Sequence, residues 1–217
     1  MYMKKIGILG SGQVAQALAQ GFLKHGYEVM MGSRSPEKIK EWTVKENLNI
    51  QAGTDTEVAT WGELIIVAVK GTAAEEVIRS AGNGLHGKTI IDVCNPIADL
   101  PPENGVLRYF TTFDESLMER LQKLAPEARF VKAFNSVGNG LMVNPDFGGT
   151  KPTMFICGDN TDAKKEVSEI VEQFGWEPLD MGGKEAARAI EPLCMLWCIP
   201  GILRNEWMDH AFKMLKK

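Results

Sequence analysis

The stretch from residue 4 to residue 38 constrains the fold most, because a glycine turn follows a short apolar run and opens an amphipathic segment. A strand, a tight turn and a helix in this order are typical of a nucleotide-binding βαβ unit. Gly10 permits the turn, Gly12 lets the backbone approach a pyrophosphate, and the small Ala15 lets the helix lie close to the strand. N–H groups at the start of the helix then face the anion. We therefore predict that a dinucleotide binds the turn residues Gly10, Ser11, Gly12, Gln13 and Val14.

The second apolar run indicates which dinucleotide to expect. It ends in Ser33 and Arg34, and Lys38 lies one helical turn beyond. Sites of this type read the adenosine ribose about 20 residues after the glycine turn, where an acidic side chain accepts from the 2′-hydroxyl and repels a 2′-phosphate. Glu28 is at the wrong end of the strand and Glu37 lies inside the next helix. The pattern therefore predicts NADP(H) rather than NAD(H), and the alternative is an ordinary βαβ unit with a surface arginine and lysine.

Strands and helices alternate along the rest of the chain, and no hairpin signal interrupts them. This alternation predicts an α/β fold of the Rossmann type with a doubly wound parallel sheet. We predict further strands at 50–52, 64–69, 88–93, 129–133, 153–157 and 177–180. Helices are predicted at 36–47, 73–81, 116–124 and 162–174, the last capped by Asp162. Residues 97–115 and 136–149 are rich in turn-forming residues and are predicted to be irregular.

The last segment, 184–217, is predicted to be a helical extension of a nucleotide-binding domain formed by residues 1–183. Pro192 and Pro200 are expected to break its helix. The apolar stretch between these prolines is shorter than the roughly 18 to 20 residues that span a bilayer. Because so many large apolar side chains rarely stay together in water, we expect burial against the domain, a second subunit or a flat ligand.

Composition narrows the functional classes. The chain has 217 residues, 44% of them apolar, and a net charge of −4, which suits one large α/β domain and argues against nucleic-acid binding. No signal peptide is recognised, and the scattered cysteines are typical of reduced thiols, so we expect a cytoplasmic location. Cys194 and Cys198 would share a helix face, but no histidines lie near them in sequence. We expect two buried small apolar side chains there and no metal site.

Ligands of an open parallel sheet bind beyond the carboxyl ends of its strands. The candidates for positioning the nicotinamide or an acceptor are therefore the strand-end residues Val69, Lys70, Asn95, Pro96 and Asn135. Ala68 and Ala133, at the same strand ends, complete the predicted cofactor contacts. The asparagine amides could hold a ring by hydrogen bonds, and Val69 could pack on its face. Asn-Pro and Phe-Asn sequences also serve simply to shape turns, which is the alternative interpretation.

Candidates for acid–base chemistry are few. His25 is expected to cap the first helix, His86 precedes a strand at its wrong end, and His210 is expected in a solvated C-terminal helix. The sequence has no catalytic-triad order, zinc-protease motif, Walker loop or paired carboxylates. This pattern disfavours a hydrolase and favours hydride transfer, in which the cofactor supplies the reactive atom.

These residues resemble the NADP oxidoreductase family typified by the coenzyme F420-dependent, or deazaflavin-dependent, NADP reductases. The resemblance extends over most of the chain and is carried by segments 10–12, 32–34 with Lys38, 92–96, 131–135, 154–159 and 187–197. It implies that NADPH binds the glycine turn and the Ser-Arg pair, with the nicotinamide presented to a deazaflavin near the later strand ends. It also implies a homodimer. The oxidoreductase domains of membrane metalloreductases are similar too, although no membrane part is expected here.

The resulting expectation is a cytoplasmic, NADPH-dependent oxidoreductase that passes hydride to a deazaflavin, such as coenzyme F420, or to another flavin-like planar acceptor. Neither nucleic acid nor membrane is an expected partner. The apolar tail is expected to lie in the homodimer interface and to help wall the acceptor site. Two alternatives stay open. An imine or carbonyl reductase would need a proton donor, for which Lys70 is the candidate, and an NADP(H)-sensing module would bind cofactor without turnover.

Overall fold

Six parallel strands form the main sheet of the computed structural model, which describes residues 4–217. In chain order they are β1 Lys5–Leu9, β2 Glu28–Gly32, β3 Gln51–Gly53, β4 Leu64–Val67, β5 Thr89–Asp92 and β6 Arg129–Lys132. The spatial order is β3-β2-β1-β4-β5-β6, so the chain changes direction across the sheet between β1 and β4. Ligands of such sheets bind beyond the carboxyl ends of the strands at this switch point.

Helices cover the sheet. They are α1 Gln13–Lys24, α2 Pro36–Lys45, α3 Asp55–Trp61, α4 Gly71–Ala81, α5 Leu117–Leu124, α6 Thr161–Gln173 and α7 Ala187–Arg204. Every residue of β4 and β5 is buried, and neighbouring residues of β4 belong to two different apolar clusters. A strand buried on both faces in this way confirms the predicted doubly wound α/β fold. The irregular course of residues 97–115 is also as predicted.

Two further strands, β7 Thr153–Ile156 and β8 Glu177–Asp180, pair in parallel and form a small second sheet. An antiparallel bridge between Lys132 and Cys157 joins it to the end of β6. The cap predicted for α6 is wrong, because Asn160 accepts from the backbone N–H of Ala163 at 2.9 Å. Asp162 lies instead in the first helical turn, where a negative charge is favoured by the helix dipole.

Three buried charges hold the C-terminal helix to the sheet. Lys132 Nζ lies 2.7 Å from Asp92 Oδ2 and 2.9 Å from Glu191 Oε1, and none of the three side chains is more than 2% exposed. Glu191 also accepts from the backbone N–H groups of Leu117 and Met118, each at 3.0 Å, at the start of α5. The N-terminal end of α5 thereby supplies part of the positive charge that a second buried carboxylate requires.

The predicted breaks at Pro192 and Pro200 are wrong, because α7 runs through both prolines. Each proline removes one backbone donor from the helix, but tertiary packing outweighs this cost: Ile190 and Trp197 are buried against the domain. With the 3-10 turn before it, the helix at 184–204 is long and apolar enough to cross a membrane by length and composition alone. The core helix of a soluble protein passes the same criterion, and 33% of the most apolar window of this helix is buried within the chain.

After α7 the chain folds back on itself and is not helical. Asn205 ends the helix in a left-handed conformation, with a φ of 58°. Further along, the backbone oxygen of Phe212 accepts from the N–H of Thr153 at 2.8 Å. The helical, solvated position predicted for His210 is wrong. Its Nε2 lies 2.9 Å from the backbone oxygen of Trp197, and the two rings stack with centroids 4.9 Å apart.

Candidate functional site

Two adjoining depressions lie at the carboxyl edge of the main sheet, over the switch point between β1 and β4. The small hollow, with a volume near 310 Å³, extends over the end of β2. The main cleft, with a volume near 670 Å³, extends over the ends of β4 and β5. Both depressions are bordered by Gly12, Ala68, Val69 and Lys70. A single elongated ligand could therefore occupy the two together.

The two glycines of the turn have different structural roles. Gly10 has a φ of 134°, and a Cβ there would lie 2.3 Å from the backbone oxygen of Ala68, so only glycine fits. Gly12 has an ordinary φ of −77°, and a Cβ there would meet nothing within 4 Å. The bare face of Gly12 thus borders open space shared by both depressions. It is also the N-cap of α1, and no side chain caps the helix there. The free N–H groups of the first turn form a site suited to a phosphate.

The small hollow contains two charged groups that are not paired by a salt bridge. Arg34 is exposed and makes no salt bridge with any residue in 4–217. Ser33 accepts from the backbone N–H of Ser35 at 3.1 Å, which orients its hydroxyl. Asp55, at the start of α3, also lines the hollow and is only 6% exposed. Burial raises the pKa of Asp55, the charge of Arg34 opposes this rise, and the charge of Glu76 adds to it.

The main cleft has mostly apolar walls. Its apolar lining residues are Val14, Ala68, Val69, Val93, Ile97, Ala98 and Leu100. Two charged side chains border it, and Lys70 Nζ lies 2.5 Å from Asp99 Oδ1. This pair joins the β4–α4 connection to the irregular segment that starts at residue 97. Cys94 lies at the floor, where burial raises its thiol pKa, so the group is neutral and unreactive.

Of the two asparagines, the structure brings only Asn95 to the main cleft. Asn95 Nδ2 donates to the backbone oxygen of Asn135 at 2.8 Å, and Asn135 Nδ2 donates to Asn95 Oδ1 at 3.0 Å. Asn135 Nδ2 also donates to the backbone oxygen of Ile190, again at 3.0 Å. Because Asn135 is 2% exposed and lies behind Asn95, it can orient that side chain but does not line either depression.

The other predicted site residues also fall into two groups, those that line a depression and those that do not. Those that line one or both depressions are Gly10, Ser11, Gly12, Gln13, Val14, Ser33, Arg34, Ala68, Val69, Lys70 and Asn95. Lys38 is exposed on α2 outside the hollow, while Pro96 and Ala133 are buried away from both surfaces. Asp55 was missed by the sequence reasoning. The sequence does place this carboxylate just after a short strand. That position points to the hollow only once β3 is known to lie beside β2.

The apolar tail does not contribute to the main cleft within one chain. The lining residues fall in segments 12–14, 68–71 and 93–100, and none comes from 192–203. Trp197 is only 4% exposed, and a Cβ on Gly138 would lie 2.5 Å from its ring. The ring therefore packs inside its own chain, which was the alternative left open for the tail.

The chemistry open to the site follows from its side chains. No histidine lines either depression, and within residues 4–217 no group of three or more His, Cys, Asp or Glu side chains could hold a metal ion. The single amine, on Lys70, is paired with Asp99. The arrangement therefore offers phosphate binding, a charged recognition pocket and an apolar cleft, but few groups for proton transfer.

Comparisons with known proteins agree with this geometry. The family model described as NADP oxidoreductase, coenzyme F420-dependent, matches residues 5–96. The F420-dependent NADP reductase of Methanothermobacter marburgensis is 30% identical, over 93% of this chain and 95% of the relative. The metalloreductase STEAP3 of Rattus norvegicus is 35% identical over 92% of this chain, which spans 39% of that longer protein.

Solved structures extend the comparison. A candidate F420-dependent NADP reductase from Arthrobacter sp. FB24 superposes with a TM-score of 0.89 and 26% identity, covering 99% of this chain and 100% of that one. A reductive aminase from Aspergillus terreus, solved with NADPH and ethyl levulinate, gives a TM-score of 0.67 at 20% identity. It covers 94% of this chain and 63% of that one, and at this identity the likeness is one of fold alone.

Proposed function

The chain belongs to the family of coenzyme F420-dependent NADP oxidoreductases, and on this premise we propose that it transfers hydride between NADP(H) and a flat, flavin-like acceptor. The enzyme class is thus an NADP-dependent oxidoreductase, as the sequence predicted. The acceptor is our proposal, and coenzyme F420 is one candidate. One observation carries it: an unpaired arginine, a bare glycine turn and an apolar cleft follow one another along a single sheet edge.

The cofactor would lie along this edge in a defined direction. Ser33 and Arg34 would hold the 2′-phosphate, whereas Lys38 does not line the hollow. Gly12 and the free N–H groups of α1 would hold the pyrophosphate, and the space that a Cβ on Gly12 would fill supports this fit. Asn95 and Val69 would orient the nicotinamide in the main cleft, with Asn135 holding Asn95 in place. When bound there, the nicotinamide supplies the hydride.

The walls of the main cleft support an acceptor that needs no proton from the protein. Apolar side chains suit a planar ring, and the paired Lys70 is the one amine that borders the cleft. This amine also keeps open an imine or carbonyl reductase, in which it would serve as proton donor. An NADP(H)-sensing module is the third candidate, and it would use only the binding half of the site.

A panel of acceptors separates these candidates. NADPH is titrated first, and its absorbance is then followed with a deazaflavin, flavins, ferric chelates, cyclic imines and ketones. Oxidation with the planar acceptors alone supports the proposal. Turnover with an imine or ketone that is lost in Lys70→Met supports the reductase alternative. Binding without turnover of any acceptor supports the sensor.

We further propose that the enzyme is a cytoplasmic homodimer, in which residues 184–217 extend the domain formed by residues 1–183. The four cysteines are free, as expected for a reducing compartment. The buried contacts of Glu191 and Trp197 favour packing of α7 on its own domain over insertion in a membrane. The extension exposes several large apolar side chains, namely Leu196, Leu203, Trp207, Met208 and Leu215.

A homodimer whose interface covers Leu196 predicts that Leu196→Glu weakens self-association while NADPH affinity stays close to that of the wild type. Leu196 is 55% exposed, so its replacement leaves the packing of the single chain intact. Sedimentation at micromolar concentration measures the effect, and Val44→Glu, an 80% exposed residue on α2, is the matched control. A wild-type monomer of 23.9 kDa would contradict the dimer.

A further inference from the structure

Asp55 is a buried carboxylate that lies outside the groups proposed to hold the phosphates and the nicotinamide. The last residue of β3, Gly53, pairs with Gly32 at the end of β2, and the N–H of Ser33 donates to the oxygen of Gly53 at 3.2 Å. The first residue of α3 is therefore carried to the same hollow as Ser33 and Arg34. A Cβ on Gly32 would lie 3.0 Å from Asp55 Oδ1, which shows how closely the carboxylate approaches β2.

The carboxylate has no structural hydrogen bond to explain its burial. Within residues 4–217 no donor bonds to it, although it is only 6% exposed. The start of α3 is already capped without it: the Thr54 side chain accepts from the N–H of Glu57, and the Glu57 carboxylate accepts from the N–H of Thr54. Because Asp55 lines the hollow and accepts from no donor of the described chain, its carboxylate is free to accept from a ligand that brings an N–H group.

The walls of the small hollow indicate which part of a ligand brings this donor. Ala73 and Val77 on α4, together with Val69, give it an apolar side, and its volume near 310 Å³ suits one nucleoside. Adenine has a flat apolar face and a single exocyclic amine at its edge. A phosphate beside a carboxylate would be repelled, whereas it would be attracted by Arg34.

On the proposed NADP(H) function, we infer that Asp55 determines base specificity by accepting a hydrogen bond from the 6-amino group of adenine. Two side chains of the hollow then have separate roles in recognition. Arg34 binds the 2′-phosphate, and Asp55 selects the purine. Without Asp55 the hollow would accept other purine dinucleotides almost as well.

The test compares NADPH with its hypoxanthine analogue, in which a 6-oxo group replaces the 6-amino group. Dissociation constants are measured by fluorescence titration for the wild type and for Asp55→Asn. We expect the wild type to bind NADPH about tenfold to a hundredfold tighter than the analogue, since hydrogen bonds to charged groups are in that range. Asp55→Asn should weaken NADPH binding and reduce the preference to less than about threefold, because an amide can donate to a 6-oxo group.

Two control variants separate base recognition from general electrostatics. Glu76→Gln removes a neighbouring charge that acts on Asp55 but does not line the hollow, and it should leave the base preference unchanged. Arg34→Ala should weaken both dinucleotides by the same factor. Circular dichroism and thermal melting establish that Asp55→Asn, which keeps the shape of the side chain, is folded.

Each remaining outcome has a distinct meaning. Equal binding of the two dinucleotides by the wild type would overturn the role of Asp55 and leave NADP(H) use intact. If Asp55→Asn lowers the affinity for NADH and raises the affinity for NADPH, the carboxylate lies at the ribose, and the role in base selection is also overturned. Failure of the wild type to bind either dinucleotide would overturn the proposed function itself.

Discussion

The small hollow and the main cleft adjoin at the same sheet edge but are built from different chemistry. In the hollow, Arg34 makes no salt bridge in the described chain and Asp55 is buried without a donor, so both charges are available to a ligand. In the main cleft, Lys70 and Asp99 neutralise each other at 2.5 Å and the remaining walls are largely apolar. On the proposed function, the hollow would recognise its ligand by charge and hydrogen bonds, whereas the cleft would recognise its ligand by shape.

The largest effect is expected where the two depressions meet. Gly12→Val should weaken NADPH binding more than about a hundredfold, because the branched side chain would occupy the space of the pyrophosphate. The fold should survive, since a Cβ there meets nothing within 4 Å. Titration calorimetry and a thermal melt measure the two quantities. Gly12→Ala is the graded control and should lose less affinity. Normal NADPH binding by the valine variant would show that no ligand passes from hollow to cleft over the turn.

A smaller effect is expected within the hollow. Arg34→Ala should weaken NADPH by about tenfold to a hundredfold and leave NADH almost unchanged, because only NADPH carries the 2′-phosphate. Ser33→Asp should shift preference toward NADH by adding a repulsive charge. Both are read from dissociation constants for the two cofactors. Arg79→Ala, on the exposed side of α4, is the matched control. Equal losses of affinity for NADPH and NADH would show that the hollow does not recognise the charge of the 2′-phosphate.

The smallest effect is expected in the main cleft. Lys70→Ala and Asp99→Ala each leave one exposed charge, which contributes only about 1 kcal/mol at contact distance in water. The KM for a planar acceptor should therefore change by less than about fivefold in either variant. The double variant, which restores neutrality, is the control. Large shifts of opposite sign in the two single variants would show that the main cleft also recognises its ligand by charge, which would contradict the difference between the two depressions.

The parts of the fold that depend on local pattern were predictable from sequence. The glycine turn, the apolar runs of β1 and β4 and the Ser-Arg pair lie within short segments whose residues act on one another directly. Their positions at one sheet edge then follow from the rule for parallel strands. Half of the residues that line the two depressions were identified for this reason.

The parts that depend on contacts between distant segments were not predictable in the same way. Asp55 reaches the hollow only because β3 pairs with β2. Pro192 and Pro200 stay helical because packing against the domain outweighs a local preference. His210 is held by a ring and a carbonyl on α7, a contact that no spacing in the sequence indicates.

The buried cluster of Asp92, Lys132 and Glu191 has a consequence for synthesis on the ribosome. Every residue that lines the hollow and the cleft has been made by residue 100, yet Glu191 emerges about 60 residues after Lys132, or about 3 to 12 s later at usual elongation rates. During that interval the start of α5 lacks the carboxylate that its N–H groups bind in the finished protein. A nascent chain that stopped short of α7 would contain every residue that lines the two depressions but would lack Glu191. The buried cluster that holds α5 and the sheet together would then be incomplete.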